Sequence, residues 1–187
     1  MLDRRQILNK SLTIALVGGM GFVSFSSNRA AAKLQALEGI HHQDWFQETS
    51  FDLQKDLVNA KKANKNLVLL WEQIGCVYCA KMHENVFTRP DIVKLITDNF
   101  HVVQMDMRGN RKFIGLDGRE ATESKIANAM IVNATPTTMF LDHEGDITFR
   151  APGYVKPKFF KAIYQYVIEK AYEDQTIFEW LKTHKFS

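Results

Sequence analysis

Cysteine is nearly absent from this chain: two of 187 residues, Cys76 and Cys79. A closed zinc site takes four ligands, usually with more sulfur than that. Haem attachment needs histidine directly after the second cysteine, and position 80 is alanine. Repeats, low-complexity tracts and Pro/Gly-rich linkers are also missing, so nothing divides the chain into several domains. The one extended apolar stretch, Ser11 to Phe25, is short for a bilayer span and is diluted by Gly18, Gly19 and Gly21.

An excess of one charge is missing too, once the N-terminus is set aside. Asp3-Arg4-Arg5-Gln6-Ile7-Leu8-Asn9-Lys10 resembles a twin-arginine export motif, with Asp3 and Ile7 at positions where Ser or Thr and Phe are usual. The apolar stretch follows, and Ala30-Ala31-Ala32 supplies a small-x-small cleavage pattern. Residues 1–32 are therefore expected to be a signal peptide of the twin-arginine type, cleaved before Lys33. That segment holds four of the 24 cations (Arg4, Arg5, Lys10, Arg29) and one of the 21 anions (Asp3), leaving 20 of each. A mature chain of no net charge does not support a nucleic-acid partner, which calls for a clustered basic surface. The remaining stretch, 33–187, suits one domain with a full core. Export to the periplasm would place the cysteines where pairs tend to be oxidised unless electrons are supplied.

The two cysteines sit at a junction. Leu67-Val68-Leu69-Leu70-Trp71 reads as a buried strand. Glu72-Gln73-Ile74-Gly75 follows, then Cys76-Val77-Tyr78-Cys79, then a helical segment to about Thr88. A cysteine at a helix start meets unpaired N–H groups and the positive end of the helix dipole, which favour thiolate. A second cysteine one turn on is close enough to make or break a disulfide with it. A purely structural bridge over so short a loop would constrain the unfolded chain little. Thiol–disulfide exchange is the chemistry this spacing serves. Cys76, Cys79 and His83 keep a copper or zinc role open, since Cys79 and His83 are i,i+4 on one helix face; His83 alone reads as a surface or partly packed residue.

Around this junction the pattern predicts a helix from Phe51 through Ala60, a second helix opened by Pro90, and a strand Phe100 to Met105. Met107 to Glu120, with Arg108, Arg111, Lys112 and Arg119, reads as an exposed basic loop. Ala121 to Val132 reads as a helix. Thr137 to Asp142 and Ile147 to Arg150 read as a hairpin. Lys156 to Tyr172 reads as an amphipathic helix, with a short helix near Asp174 to His184 after it.

The order α β α β α β β α, the Cys-x-x-Cys helix start, Thr135-Pro136 before the third strand and Gly153 after the hairpin together resemble the thioredoxin fold over about residues 45–172. This is an α/β class with a central mixed β-sheet flanked by α-helices, here with a short C-terminal helical extension. Trp71 to Cys79, Thr135-Pro136-Thr137 and Arg150-Ala151-Pro152-Gly153-Tyr154 are most similar to exported thioredoxins of the SoxW type. The resemblance implies a cis bond before Pro136, facing the cysteines, and a thiol–disulfide oxidoreductase with no cofactor beyond a Cys76–Cys79 redox disulfide. It implies attack by Cys76, resolution by Cys79, and substrate contacts through Thr135, Gly75, Tyr78 and Gly153. It further implies reduction of exported proteins, with electrons from a membrane thiol-reductase of the DsbD or CcdA kind. Oxidase or isomerase activity is the other direction, because redox poise is not legible in a sequence. Two positions depart from the family. The buried Asp many thioredoxins carry six residues before the first cysteine is Leu70 here, and the Trp before that cysteine is Gly75. Glu72, on the same strand face as Leu70, is the nearest candidate general base; the competing reading is a solvated strand-end carboxylate.

Overall fold

The computed structural model describes residues 39–184; the expected signal peptide lies outside the described residues. Helix α1 (Leu53–Lys62) starts at Asp52, whose side chain accepts from the N–H groups of Gln54 and Lys55, and ends with Lys61 and Lys62 at its negative pole. Strand β1 (Asn66–Glu72) leads to α2 (Val77–Asn85), and Pro90 occupies the first turn of α3 (Pro90–Asn99), where its missing N–H costs nothing. Strand β2 (Phe100–Asp106) lies parallel to β1, with Leu70 opposite Gln104 and Glu72 opposite Asp106. Strands β5 (Thr137–Leu141) and β6 (Ile147–Pro152) form the antiparallel hairpin, and β5 also pairs antiparallel with β1. The sheet order is β2-β1-β5-β6.

Period-2 alternation along β1 divides the core between the two faces of this mixed sheet. Val68 and Leu70 pack with Met82, Val86 and Phe87 of the α2 region and with Phe160, Tyr164 and Val167 of α5 (Pro157–Ile168). Leu67, Leu69 and Trp71 pack on the other face with Leu53, Ala60, Met105, Phe113 and Ile126. All five of these β1 residues are at most 1% exposed, so β1 is buried on both faces. That is why its sequence reads as an unbroken apolar run rather than an alternation.

Several expected boundaries move. The stretch 107–120 is not a simple exposed loop: β3 (Lys112–Ile114) pairs antiparallel with β4 (Glu120–Thr122). Phe113 is buried from within it. Gly118, at φ +77°, turns the chain between the two strands. The helix expected from Ala121 is α4 (Glu123–Ala129), because Ala121 and Thr122 belong to β4 and Thr122 caps the helix. Helix α5 stops at Ile168, and Lys170 at φ +53° breaks it ahead of a 3₁₀ turn at Ala171–Glu173. The last helix, α6 (Ile177–Thr183), is shorter than expected and opens with a capping box of Thr176 and Glu179. Helix α2 ends at Asn85, three residues short of Thr88.

Arg111 is not a free surface cation either. Its guanidinium grips the carboxylate of Glu123, whose side chain is fully buried and also accepts from the Asp106 N–H. This pair pins the β3–β4 hairpin to the end of β2. Removing one partner of a buried ion pair strands the other, at a cost of about 3–5 kcal/mol. Arg111→Met is therefore expected to lower unfolding free energy on that scale in urea titrations. A loss below about 1 kcal/mol would show that Glu123 is held without the arginine.

Candidate active site

The site is assembled from the exit of β1, the start of α2, the loop before β5 and the end of β6. Gly75, at φ +74°, turns the chain from strand to helix, a conformation that side-chain-bearing residues avoid. Cys76 is the N-cap of α2: its backbone is extended, and its Sγ accepts a hydrogen bond from the Cys79 N–H at 3.0 Å. Cys76 and Cys79 are joined in a disulfide with Cα atoms 5.2 Å apart. Both are largely covered, Cys76 at 8% exposure and Cys79 at 1%. The more accessible sulfur therefore lies at the positive end of the helix.

Thr135 Oγ1 donates to Cys76 Sγ at 3.3 Å across a sequence separation of 59 residues. The Thr135–Pro136 bond is cis, and Pro136 is buried. The Pro136 carbonyl accepts from the Gly153 N–H at 2.7 Å, which ties the end of β6 to this loop. Gly153 has φ +82°. Tyr78 projects from α2 into solvent, with the Lys81 ammonium 5.2 Å from its ring centre. Ile74, Val77 and Tyr78 are each more than half exposed, so an apolar rim surrounds the first cysteine. The structure thus brings Cys76, Cys79, Thr135, Pro136 and Gly153 together through direct bonds; Gly75 shapes the approach and Tyr78 stands on the rim.

Glu72, the last residue of β1, is 0% exposed, so it is not the solvated strand-end carboxylate of the competing reading. Alternation puts it on the α2 side of the sheet with Leu70. There His83 Nε2 lies 3.0 and 3.1 Å from its two oxygens. The Gln104 amide donates to Glu72 Oε2 and to the His41 carbonyl, and the Gln104 Oε1 faces His42 Nδ1 at 3.3 Å. Gln43 Nε2 meets His83 Nδ1 at 3.1 Å. His83 is 4% exposed and is ringed edge-on by Phe46 and Phe87. It is neither a surface residue nor a free metal ligand, since both ring nitrogens are engaged. Among the described residues no group of three or more His, Cys, Asp or Glu is arranged to hold a metal ion.

Sequence reasoning did not assign His83, Gln104, Gln43 or His41 to a common network. Two signals were present. Gln104 is a polar residue between the apolar Val103 and Met105, and His83 repeats the Cys79 helix face one turn on. The contribution of residues 41–43 had no local signal, because their partners lie 40 to 63 positions away.

A family model described as a thioredoxin-like domain matches residues 53–168, more than half of the chain. The chain belongs to the thioredoxin-like family. Its fold is shared by a thioredoxin-fold protein from Helicobacter pylori at 20% identity and TM-score 0.54, over 64% of this chain and 81% of that one. A putative disulphide-isomerase from Bacteroides thetaiotaomicron matches at 21% identity and TM-score 0.53, over 70% and 94%. A thioredoxin from Thermus thermophilus matches at 20% identity and TM-score 0.50, over 62% and 83%. No curated protein matches the chain. Membership of the thioredoxin-like family and the Cys76–Cys79 disulfide at the start of α2 together support a thiol–disulfide oxidoreductase.

The Thr135 hydroxyl supplies a hydrogen bond that would strengthen when Cys76 becomes a thiolate. Bonds to charged groups contribute about 1.5–3 kcal/mol. Thr135→Val is expected to slow iodoacetamide alkylation of Cys76 in the reduced protein about tenfold at neutral pH. Equal alkylation rates in the two proteins would show that the hydroxyl does not act on the thiolate.

Proposed function

We propose that the protein is a periplasmic thiol–disulfide reductase that acts on disulfides of exported proteins. The observation that carries this reading is the Cys76–Cys79 disulfide at the N-terminus of α2, with Thr135 Oγ1 on the Cys76 sulfur. In the dithiol form, Cys76 attacks one sulfur of a substrate disulfide. A mixed disulfide forms, and the other substrate sulfur leaves as a thiolate that takes a proton. Cys79 then loses its proton and attacks the Cys76 sulfur. The substrate is released as a dithiol, and two electrons have passed from the cysteine pair to it. Glu72 supplies the buried negative charge that draws the Cys79 proton inward. This is the work done in many relatives by an aspartate that is Leu70 here.

Substrate is met by the rim. Exposed Ile74, Val77 and Tyr78 offer apolar contact, and the Thr135 backbone pairs with an extended segment of the incoming chain, fixing geometry without reading side chains. Gly75 and Gly153 keep side chains off the approach. The spent disulfide is recharged by a membrane thiol-reductase of the DsbD or CcdA kind. The N-terminal segment directs export through the twin-arginine route. Among the described residues no helix is long and apolar enough to cross a membrane.

Three experiments test this reading. The Cys79→Ser protein is expected to accumulate mixed disulfides with periplasmic proteins on non-reducing gels, while Cys76→Ser accumulates few. Equal trapping, or the reverse, would refute the assigned roles. In parallel, the reduced wild type should precipitate insulin by reducing its disulfides; faster oxidation of a reduced peptide would reverse the proposed direction. For export, replacing Arg4 and Arg5 with lysine preserves charge, and processing to a chain starting at Lys33 is expected to stop. Unchanged processing would point to the general secretory route.

A further inference from the structure

Among the described residues, four that are not glycine have a positive φ: Phe51, Asn64, Ile131 and Lys170. Three of them have a visible reason. Asn64 is of a type that tolerates the left-handed region. The Phe51 ring packs against Phe113 and the Arg111 guanidinium. Lys170 is unbranched at Cβ and puts a cation at the C-terminal pole of α5. Ile131, at φ +55°, is β-branched, and for such a residue this backbone conformation is an outlier. It is also 68% exposed, so burial of its side chain does little to offset the strain.

The turn that imposes this conformation ends α4. The Ile131 N–H bonds to the Asn128 carbonyl, and the Val132 N–H bonds to the Ala127 carbonyl. These are the paired bonds of a Schellman motif, whose left-handed position is usually glycine. Val132 completes the motif by packing into the same core cluster as Ala127. The Arg150 guanidinium holds the Met130 carbonyl, and the Gly153 N–H holds the Pro136 carbonyl. Both ends of the loop 130–136 are thus fastened at β6, and Ile131 is fixed in place. Val132 is buried while Ile131, Asn133 and Ala134 are exposed, so an open strip leads from Ile131 to Thr135. Four residues of chain span at most about 14 Å, and Thr135 Oγ1 lies 3.3 Å from the Cys76 sulfur. Glycine would make this turn without strain. A strained, exposed isoleucine in its place points to a contact that the folded chain does not itself supply.

We propose that Ile131 is a specificity-determining contact, which takes an apolar side chain of the substrate about four residues along from the cysteine under attack. This rests on the reductase reading above, in which an extended substrate segment pairs with the Thr135 backbone. Such a segment rises about 3.3 Å per residue, so four of its residues cover the span from Thr135 to Ile131. Side chains alternate along an extended chain, and an even spacing returns to the same face. The substrate cysteine and the side chain four positions away therefore both point at this protein, one at Cys76 and the other at Ile131. Ile74, Val77 and Tyr78 surround the reacting sulfur itself; Ile131 reads the substrate further out. Because the loop is already fastened at both ends, little ordering is left for binding to impose on it.

The test uses short peptides with one cysteine, each in mixed disulfide with glutathione. They carry leucine or serine four residues before the cysteine, or four residues after it. Second-order rates of reduction by the reduced protein are measured by acid quenching and chromatography. The wild type is expected to reduce one of the leucine peptides about fivefold faster than its serine twin, the gain from partly burying one aliphatic side chain. Ile131→Asn suits the left-handed turn but is polar, and is expected to remove that preference. Ile131→Leu drops the branch at Cβ while keeping the apolar surface, and is expected to retain it. In urea titrations Ile131→Asn is expected to be no less stable than the wild type. A wild type that treats both leucine peptides like their serine twins overturns the inference, as does an Ile131→Asn protein that keeps the preference. In either case reduction of the peptides leaves the reductase reading intact. An Ile131→Asn protein markedly less stable than the wild type would show that the fold itself uses the isoleucine, and overturns the inference equally. A wild type that reduces none of the peptides refutes the reductase reading, and the inference falls with it.

Discussion

A carboxylate with no exposure, at the end of a central strand, constrains everything around it. Taking such a group out of water costs several kcal/mol unless its oxygens are fully hydrogen-bonded. Glu72 therefore requires donors from the elements around it: His83 from α2 and Gln104 from β2, whose amide also donates to the carbonyl of His41. A strand, a helix and the segment ahead of the domain core are locked in register by the needs of one side chain. A half-satisfied network of this kind is worse than an apolar core, so these residues are expected to tolerate change only together.

The sheet supplies the rigid frame for this arrangement. Because β1 is covered on both faces, its exit point is fixed. The Gly75 turn then delivers Cys76 to the helix start with its sulfur facing Thr135. The second fixed point is the Pro136 carbonyl held by Gly153, which couples the loop before β5 to the end of β6. The reactive sulfurs sit between two anchored backbone segments, in keeping with chemistry that depends on alignment of three sulfur atoms.

The sequence made the frame legible where signals were local. The apolar run of β1, the Pro90 helix start, the hairpin and the Cys-x-x-Cys helix start depend on neighbouring residues, and the structure has each of them within a few residues of its expected bounds. Legibility failed where long-range pairing overrode local character. Arg111 looked like one cation in a basic loop, yet Glu123 draws it inward and the stretch folds as a hairpin. His83 looked peripheral on a helix of mixed polarity, and the buried carboxylate at the end of β1, on the α2 face of the sheet, explains its position. Glu72 was readable as to face but not as to depth, because alternation gives direction and does not say what closes over a strand's end.

Both margins of the sheet carry devices against further pairing. On the β2 side, the Gln47 N–H bonds to the Val102 carbonyl, so the segment leading into the domain occupies part of that edge. On the β6 side, Arg150 is exposed and Pro152 at the strand's end has no N–H to offer. A protein that handles unfolded or extended clients works among chains whose own backbones are open for β-pairing. Under the proposed reductase function, edges blunted in this way would let such clients meet the cysteine rim and leave again, instead of extending the sheet and seeding a shared aggregate.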